Sequence, residues 1–153
     1  VQAIATVHAA LSQSVDESVD FDEVARTIVR MAGAIASTDH AVEVITTGSF
    51  GTIQADQAQA LATVLNELVA NSVEHGLADR DGLIEVRAER EGTSMTVTVA
   101  DDGVGFVPGT PMSGLGTQIV HQMVRGELKG SIEWAPREGG GTLVTLHANL
   151  DPA

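Results

Sequence analysis

Apolar residues recur at helical spacing in four stretches of the chain. The clearest lies between Asp20 and Ile35, where Asp20 and Glu23 have the spacing of a capping box and the apolar positions form one face. The longest begins near Asp56, a plausible N-cap, and ends before Gly76, which is placed for a left-handed C-cap. The pattern therefore predicts helices over residues 2–13, 20–35, 56–75 and 115–124.

Period-two alternation of apolar and polar residues predicts strands between these helices. Two short strands, 41–46 and 52–53, flank a turn at residues 48–51, and strands joined by tight turns are expected to be antiparallel. Two hairpins follow, pairing 83–90 with 95–100 and 131–135 with 142–148. This order of elements predicts an α+β fold, a two-layer α/β sandwich in which helices cover one face of a mixed, mostly antiparallel sheet.

Composition limits the kinds of function that are open to the chain. It has 153 residues, 43% of them hydrophobic and none of them cysteine, so we expect a core that needs no disulfide, and thiol chemistry is excluded. The formal charge of −13 and a single lysine, Lys129, argue against a nucleic-acid or anionic-membrane surface. An anionic ligand would have to be held by backbone N–H groups, a helix N-terminus or a bound cation.

The long predicted helix carries a polar stripe beside its apolar face. Glu67, Asn71 and His75 are spaced by four residues, so a continuous α-helix would align them. The stripe is open to two interpretations, an ordinary polar edge of an amphipathic helix or a functional pair. In the second, a carboxylate orients or deprotonates a nucleophile beside an amide oxygen that binds Mg²⁺.

Glycines gather at the ends of predicted strands and at the start of a predicted helix. After a strand, they permit positive φ and let a ligand approach the backbone, and at a helix start they leave N–H groups free for phosphate. Each group alone is a weak signal, whereas the order and spacing of all three together are a strong signal of a site that suits a phosphate chain. The groups are Asp101-x-Gly103-x-Gly105, Gly114-Leu115-Gly116 and Gly140-Gly141-Thr142.

Over about residues 21–150 these motifs resemble the GHKL superfamily of ATPases and kinases, which is built on the Bergerat nucleotide-binding fold. Residues 67–76 resemble its N box, residues 101–105 its first glycine box and residues 114–116 its second. The resemblance implies that the chain binds ATP with Mg²⁺ as cofactor.

The resemblance also implies a role for each matching residue. Asn71 would ligate Mg²⁺, Glu67 would be catalytic near the γ-phosphate, and Asp101 would accept the adenine amino group. Because Glu74 stands where many of these kinases have a lysine, that phosphate contact would come from His75, from a residue outside the motif or from none. The remaining ATP-binding positions would be Gly103, Gly105 against the base, Gly114, Leu115 and Gly116 under the phosphates, and Thr142 beside Asp101.

Residues 4–12 and 19–24 resemble the end of the dimerisation hairpin of bacterial sensor histidine kinases, of the soluble-sensor type that shares features with HWE kinases and includes actinobacterial phosphorelay kinases. Residues 1–15 would be the tail of that helical hairpin, and residues 16–153 the ATP-binding catalytic domain. His8 lacks the family's His-Arg-x-Lys-Asn block, so it is interpreted as a packing residue and the phosphoacceptor histidine is expected upstream.

The resulting hypothesis is a catalytic domain that transfers the γ-phosphoryl group of ATP to a histidine outside this fragment. Its implied partners are the upstream hairpin, homodimeric in the full-length protein, and a response regulator receiver domain, with no nucleic acid and no membrane contact. A cytoplasmic location is expected. Two alternatives stay open: an anti-sigma-factor serine kinase of the same superfamily, and a nucleotide-binding module without phosphotransfer.

Overall fold

The computed structural model describes residues 18–36, 41–77, 80–105 and 115–152. The predicted helix over 2–13, with His8, and the loop 106–114, with Gly114, lie outside them. The helices are α1 (Phe21–Ala36), α2 (Ala55–Asn71), which continues into a π-helical turn (Ser72–Gly76), and α3 (Leu115–Arg125). The strands are β1 (Ser18–Asp20), β2 (Val42–Gly48), β3 (Thr52–Gln54), β4 (Gly82–Glu91), β5 (Ser94–Asp101), β6 (Ser131–Pro136) and β7 (Thr142–Asn149).

The main sheet has five strands in the order β2-β4-β5-β7-β6, antiparallel except for the parallel pair β2 and β4. Alternate residues of the central strands face the helices and are buried with them in one core. The predicted α+β class, the mixed sheet and the two hairpins are therefore confirmed. Core residues from each layer include Ile28, Leu61, Leu65, Leu68, Val86, Val97 and Leu146.

The expected antiparallel pairing of the two short strands is wrong. β3 does not pair with β2 but with β1, in a separate two-stranded sheet, and β2 runs parallel to β4. The carboxylate of Asp22 explains this arrangement, because it accepts the Phe50 N–H at 2.6 Å and the Ser49 hydroxyl at 2.9 Å. These bonds hold the loop after β2 against the start of α1, so that β3 lies beside β1.

At the start of α1 the structure shows the Asp20 bond of the predicted capping box, and the start of α2 differs from the prediction. Asp20 Oδ1 accepts the Asp22 N–H at 3.3 Å, as expected of an N-cap. In α2 the N-cap is Gln54, which makes no capping bond with its side chain. Asp56 lies inside the first turn, where its negative charge still favours the positive end of the helix dipole.

The C-terminal end of α2 also differs from the prediction. Gly76 does not form a left-handed cap but closes the π-helical turn, in which the Leu77 N–H donates to the Ser72 carbonyl at 2.7 Å. A bond from residue i to residue i+5 adds a residue to the turn. Val73 and Leu77 are thereby buried, which gives the wider turn a packing reason.

Candidate functional site

Asp101 ends β5 and lies almost completely inside the protein, with 2% of its surface exposed. It pairs with Thr142, the first residue of β7. Its Oδ1 accepts two backbone N–H groups, from Gly103 at 3.0 Å and from Thr142 at 3.3 Å. Burial raises the pKa of Asp101 above its ordinary value, and these two hydrogen bonds oppose that rise. The backbone of Thr142, more than its hydroxyl, therefore fixes the carboxylate.

The second carboxylate oxygen of Asp101 is available to a ligand. Both of its hydrogen bonds end on Oδ1, so Oδ2 has no partner in the described part of the chain. Within that part, no fully enclosed side-chain nitrogen or oxygen lacks a hydrogen bond, so Oδ2 must reach the protein surface. The site thus offers one fixed, open acceptor in an otherwise buried setting.

Two glycines let the loops beside Asp101 come together. Gly105 has φ +74°, and a Cβ atom there would lie 3.2 Å from the Gly141 carbonyl oxygen. Gly141 has φ +103°, and its Cβ would lie 2.8 Å from the Asp101 carbonyl carbon. Residues with side chains would be strained at both positions and would part the loops. The structure therefore brings Gly103, Gly105, Asp101 and Thr142 close together.

Two charged residues near Asp101 were not predicted. The Asp102 carboxylate accepts the Leu83 N–H at 2.9 Å and its own N–H donates to the Leu83 carbonyl at 3.2 Å, which ties the end of β5 to β4. Arg137, in the loop before β7, lies 3.5 Å from Glu85, and its charge favours the ionised form of Asp101. No sequence signal separates these two residues from ordinary turn residues, because their partners come from another strand.

On α2 the structure brings Glu67 to the start of α3, and Asn71 lies one helical turn further along α2. Both side chains are half-buried, and the Glu67 carboxylate packs against Gly116, where a Cβ atom would lie 3.2 Å from Glu67 Cδ. A larger residue at position 116 would therefore displace the Glu67 carboxylate from the start of α3. Leu115 is the first residue of α3. Glu67 therefore stands beside the helix end that favours negative ligands.

His75 lies where the helix type changes. It belongs to the π-helical turn, beyond the last α-helical residue Asn71, and is exposed, as is Glu74. The continuous α-helix on which the predicted stripe rests therefore includes Glu67 and Asn71 and ends before His75.

The donor set on α2 is the kind that Mg²⁺ accepts. Asn71 offers an amide oxygen and Glu67 a carboxylate, both hard oxygen ligands. In the described part of the chain no group of three or more His, Cys, Asp and Glu residues could hold a metal by itself. A cation here would need ligand oxygens from outside the protein, and Mg²⁺ is often bound in that way, between one or two side chains and phosphates.

The family profile named "Histidine kinase-, DNA gyrase B-, and HSP90-like ATPase" matches residues 56–152. The chain belongs to this family. The match begins in the first turn of α2 and runs through β7, so it includes Glu67, Asn71, Asp101 and Thr142. The geometry described above is therefore that of an ATPase-family domain.

Two curated relatives of this ATPase domain carry the name sensor histidine kinase PdtaS. The protein from Mycobacterium tuberculosis is 40% identical over 151 residues, which cover 95% of this chain and 30% of the relative. The protein from Mycolicibacterium smegmatis is 39% identical over 155 residues, which cover 98% of this chain and 31% of the relative. The chain thus spans less than a third of the length of the curated relatives it matches.

Solved histidine kinase structures share the fold. The histidine kinase domain of a blue-light activated kinase from Erythrobacter litoralis superposes with a TM-score of 0.76 at 24% identity, covering 97% of this chain and 74% of that chain. The ATP-binding domain of PrrB from Mycobacterium tuberculosis gives a TM-score of 0.70 at 20% identity, covering 88% of this chain and 96% of that chain.

Among the described residues of the ATPase domain, no helix has the length and apolarity that crossing a membrane requires.

Proposed function

We propose that this ATPase domain binds Mg²⁺-ATP and serves as the catalytic domain of a sensor histidine kinase. The observation that carries the proposal is Asp101, a buried carboxylate with one oxygen held by backbone N–H groups and the other without a protein partner, beside glycines of two adjoining loops. The family membership supports it, as do relatives named sensor histidine kinase at about 40% identity.

In this proposal Asp101 recognises the adenine base through a hydrogen bond. Its Oδ2 accepts a hydrogen bond from the exocyclic amino group, while Gly105 leaves room for the base against the backbone. Guanine has a carbonyl oxygen in place of that amino group, so it would face the carboxylate with a second acceptor. A buried acceptor left without its donor is costly, which gives the site a physical basis for selecting adenine.

The phosphates and Mg²⁺ would lie between α2 and the start of α3. The oxygen atom of Asn71 would be the protein ligand of the ion, and Gly114, Leu115 and Gly116 would offer backbone N–H groups and the positive helix end to the phosphates. Mg²⁺ also offsets part of the triphosphate charge, so a chain with a formal charge of −13 can hold the nucleotide with few basic residues. His75, although exposed, stays a candidate for an additional phosphate contact.

Phosphoryl transfer would then need a correctly placed acceptor. A neutral histidine nitrogen attacks the γ-phosphorus, the bond between that phosphorus and the β,γ-bridging oxygen breaks, and ADP leaves. Glu67 would accept a hydrogen bond from the other ring N–H of that histidine and so stabilise the positive charge that develops on the ring. Positioning and electrostatics supply most of the rate in such reactions.

Because His8 lacks the family's His-Arg-x-Lys-Asn block, we propose that the acceptor histidine lies upstream of residue 1, with residues 1–15 as the tail of the hairpin that carries it. The partners that follow are that hairpin, dimeric in a full-length kinase, and a response regulator receiver domain that takes the phosphoryl group from the histidine.

The test is phosphorylation with γ-labelled ATP and Mg²⁺. The 153-residue chain alone should show no stable phosphorylation, and a longer protein that includes the acceptor hairpin should form an acid-labile, alkali-stable phosphoprotein. Glu67→Gln should reduce transfer and spare ATP binding, whereas Glu23→Gln, an exposed residue of α1, should change neither. An acid-stable phosphoserine on a separate protein would instead indicate the serine kinase, and ATP binding without any transfer would indicate a binding module.

A further inference from the structure

A groove of about 450 Å³ lies between α1 and the edge strand β2, and neither Asp101 nor Glu67 lines it. Its apolar lining comes from Val29 and Gly33 of α1 and from Val42 and Val44 of β2. A Cβ atom at Gly33 would lie 3.0 Å from Val44 Cγ2, so the glycine lets helix and strand approach closely at the floor. The volume is within the range of small-molecule sites, about 300–1,000 Å³.

The rim of this groove is positively charged in a strongly acidic protein. Arg26 and Arg30, one helical turn apart, line it and are exposed, and they are two of the eight basic residues in a chain with a formal charge of −13. In the described residues neither guanidinium has a hydrogen bond or an ion pair, and the groove has no acidic lining residue. Glu43 points to the other face of β2, since it alternates with Val42 and Val44.

We propose that this groove binds a small organic anion with an apolar portion, a carboxylate or phosphate head on a short hydrocarbon chain. Two guanidinium groups one turn apart on a helix can share one such head through charge-assisted hydrogen bonds. The apolar floor between Val29, Val42 and Val44 then removes the hydrocarbon part from water. None of these residues belongs to the nucleotide site, so the proposal does not depend on the proposed function.

The binding test is a titration of the ¹⁵N-labelled chain, followed through its backbone amide signals. Octanoate and octyl phosphate should cause saturable shifts at Gly33 and Val44, and comparison of the two shows which head group is preferred. The uncharged 1-octanol should bind at least tenfold more weakly. Saturating Mg²⁺-ATP should leave the octanoate shifts in place. Displacement by ATP, or shifts centred on Asp101 instead of Gly33, would contradict the proposal.

Two variants separate the charged rim from the apolar floor. Arg26→Gln with Arg30→Gln should weaken octanoate at least tenfold, whereas Arg87→Gln with Arg125→Gln, the same change of charge elsewhere, should leave it within twofold. Ala34→Leu keeps both arginines but fills the groove from an exposed lining position, and it should also weaken octanoate at least tenfold. Thermal melting checks that each variant is folded. Unchanged octanoate binding in either the rim variant or the floor variant would overturn the proposal.

Discussion

Replacing Asp101 with asparagine should remove adenine recognition and leave the fold intact. The variant keeps Oδ1, which accepts both the Gly103 and the Thr142 N–H groups in the native protein. The open Oδ2 position becomes an NH₂ group, which is a donor where the adenine amino group needs an acceptor. The substitution therefore changes the ligand-facing atom and preserves the atom that holds the loops.

The expected loss of ATP affinity follows from replacing a hydrogen-bond acceptor by a donor. A hydrogen bond to a charged acceptor contributes about 1.5–3 kcal/mol, and opposing two donors in a buried setting adds a desolvation cost of about 1–3 kcal/mol. Because part of this cost is relieved by movement of the nucleotide, we expect a loss of about 2–4 kcal/mol in total, or roughly 30- to 1,000-fold in Kd. The free energy of unfolding should change by less than about 1 kcal/mol, since both backbone N–H groups remain bonded.

The assay is calorimetric titration with Mg²⁺-ATP, together with urea unfolding of the same samples. Asp102→Asn is the matched control, because the amide oxygen can still accept the Leu83 N–H and the residue is exposed. The control should bind ATP within about threefold of the native chain. An Asp101→Asn variant that unfolds normally and binds ATP as tightly as the native chain would refute the adenine assignment and leave Asp101 with a structural role.

Three further predictions concern pH, the metal and stability. Burial raises the pKa of Asp101, and adenine needs the ionised carboxylate. ATP affinity should therefore fall as the pH is lowered towards that raised pKa, and the fall should begin at a higher pH than an ordinary aspartate would give. Titrations with ATP at several pH values should show this fall in the native chain and not in Asp101→Asn. Asn71→Ala should remove the Mg²⁺ dependence of ATP binding in titrations with and without EDTA, whereas Asn66→Ala on another side of α2 should keep it. Gln57→Ala should lower the free energy of unfolding, measured in urea, by about 2–3 kcal/mol, because the buried amide donates to the Glu127 carbonyl and accepts the Asp151 N–H. The control is Gln59→Ala, an exposed position on the same helix. Equal stability of the two variants would contradict the prediction.

The parts of the fold that depend on local periodicity could be predicted from the sequence. The β4–β5 hairpin is an example, since alternation on both arms and Gly92 at the turn give its register directly, with Glu91 paired to Ser94. The parallel pairing of β2 with β4 has no such local signal, because the two strands are separated by β3 and α2. The predicted hairpin of β2 and β3 is wrong because Asp22, a side chain of α1, holds the loop between these two strands.

The candidate site also has parts that local motifs predict and parts that depend on tertiary contacts. Asp101, Glu67 and the glycines could be found from motif order, because each motif is local and the spacing between motifs reflects the order of elements. The π-helical turn that contains His75 could not, since it is associated with the burial of Val73 and Leu77 in the tertiary core. The two arginines of α1 beside the groove were missed for a similar reason, because the groove forms only where α1 and β2 are adjacent in space.

A crystal structure of the chain with Mg²⁺ and a non-hydrolysable ATP analogue would test the adenine and metal assignments together. We expect the adenine amino nitrogen within about 3.2 Å of Asp101 Oδ2 and the metal about 2.0–2.1 Å from the Asn71 side-chain oxygen, with the phosphates at the start of α3. A nucleotide bound in the groove beside Arg26 and Arg30, or bound near Glu67 with its base away from Asp101, would contradict these assignments.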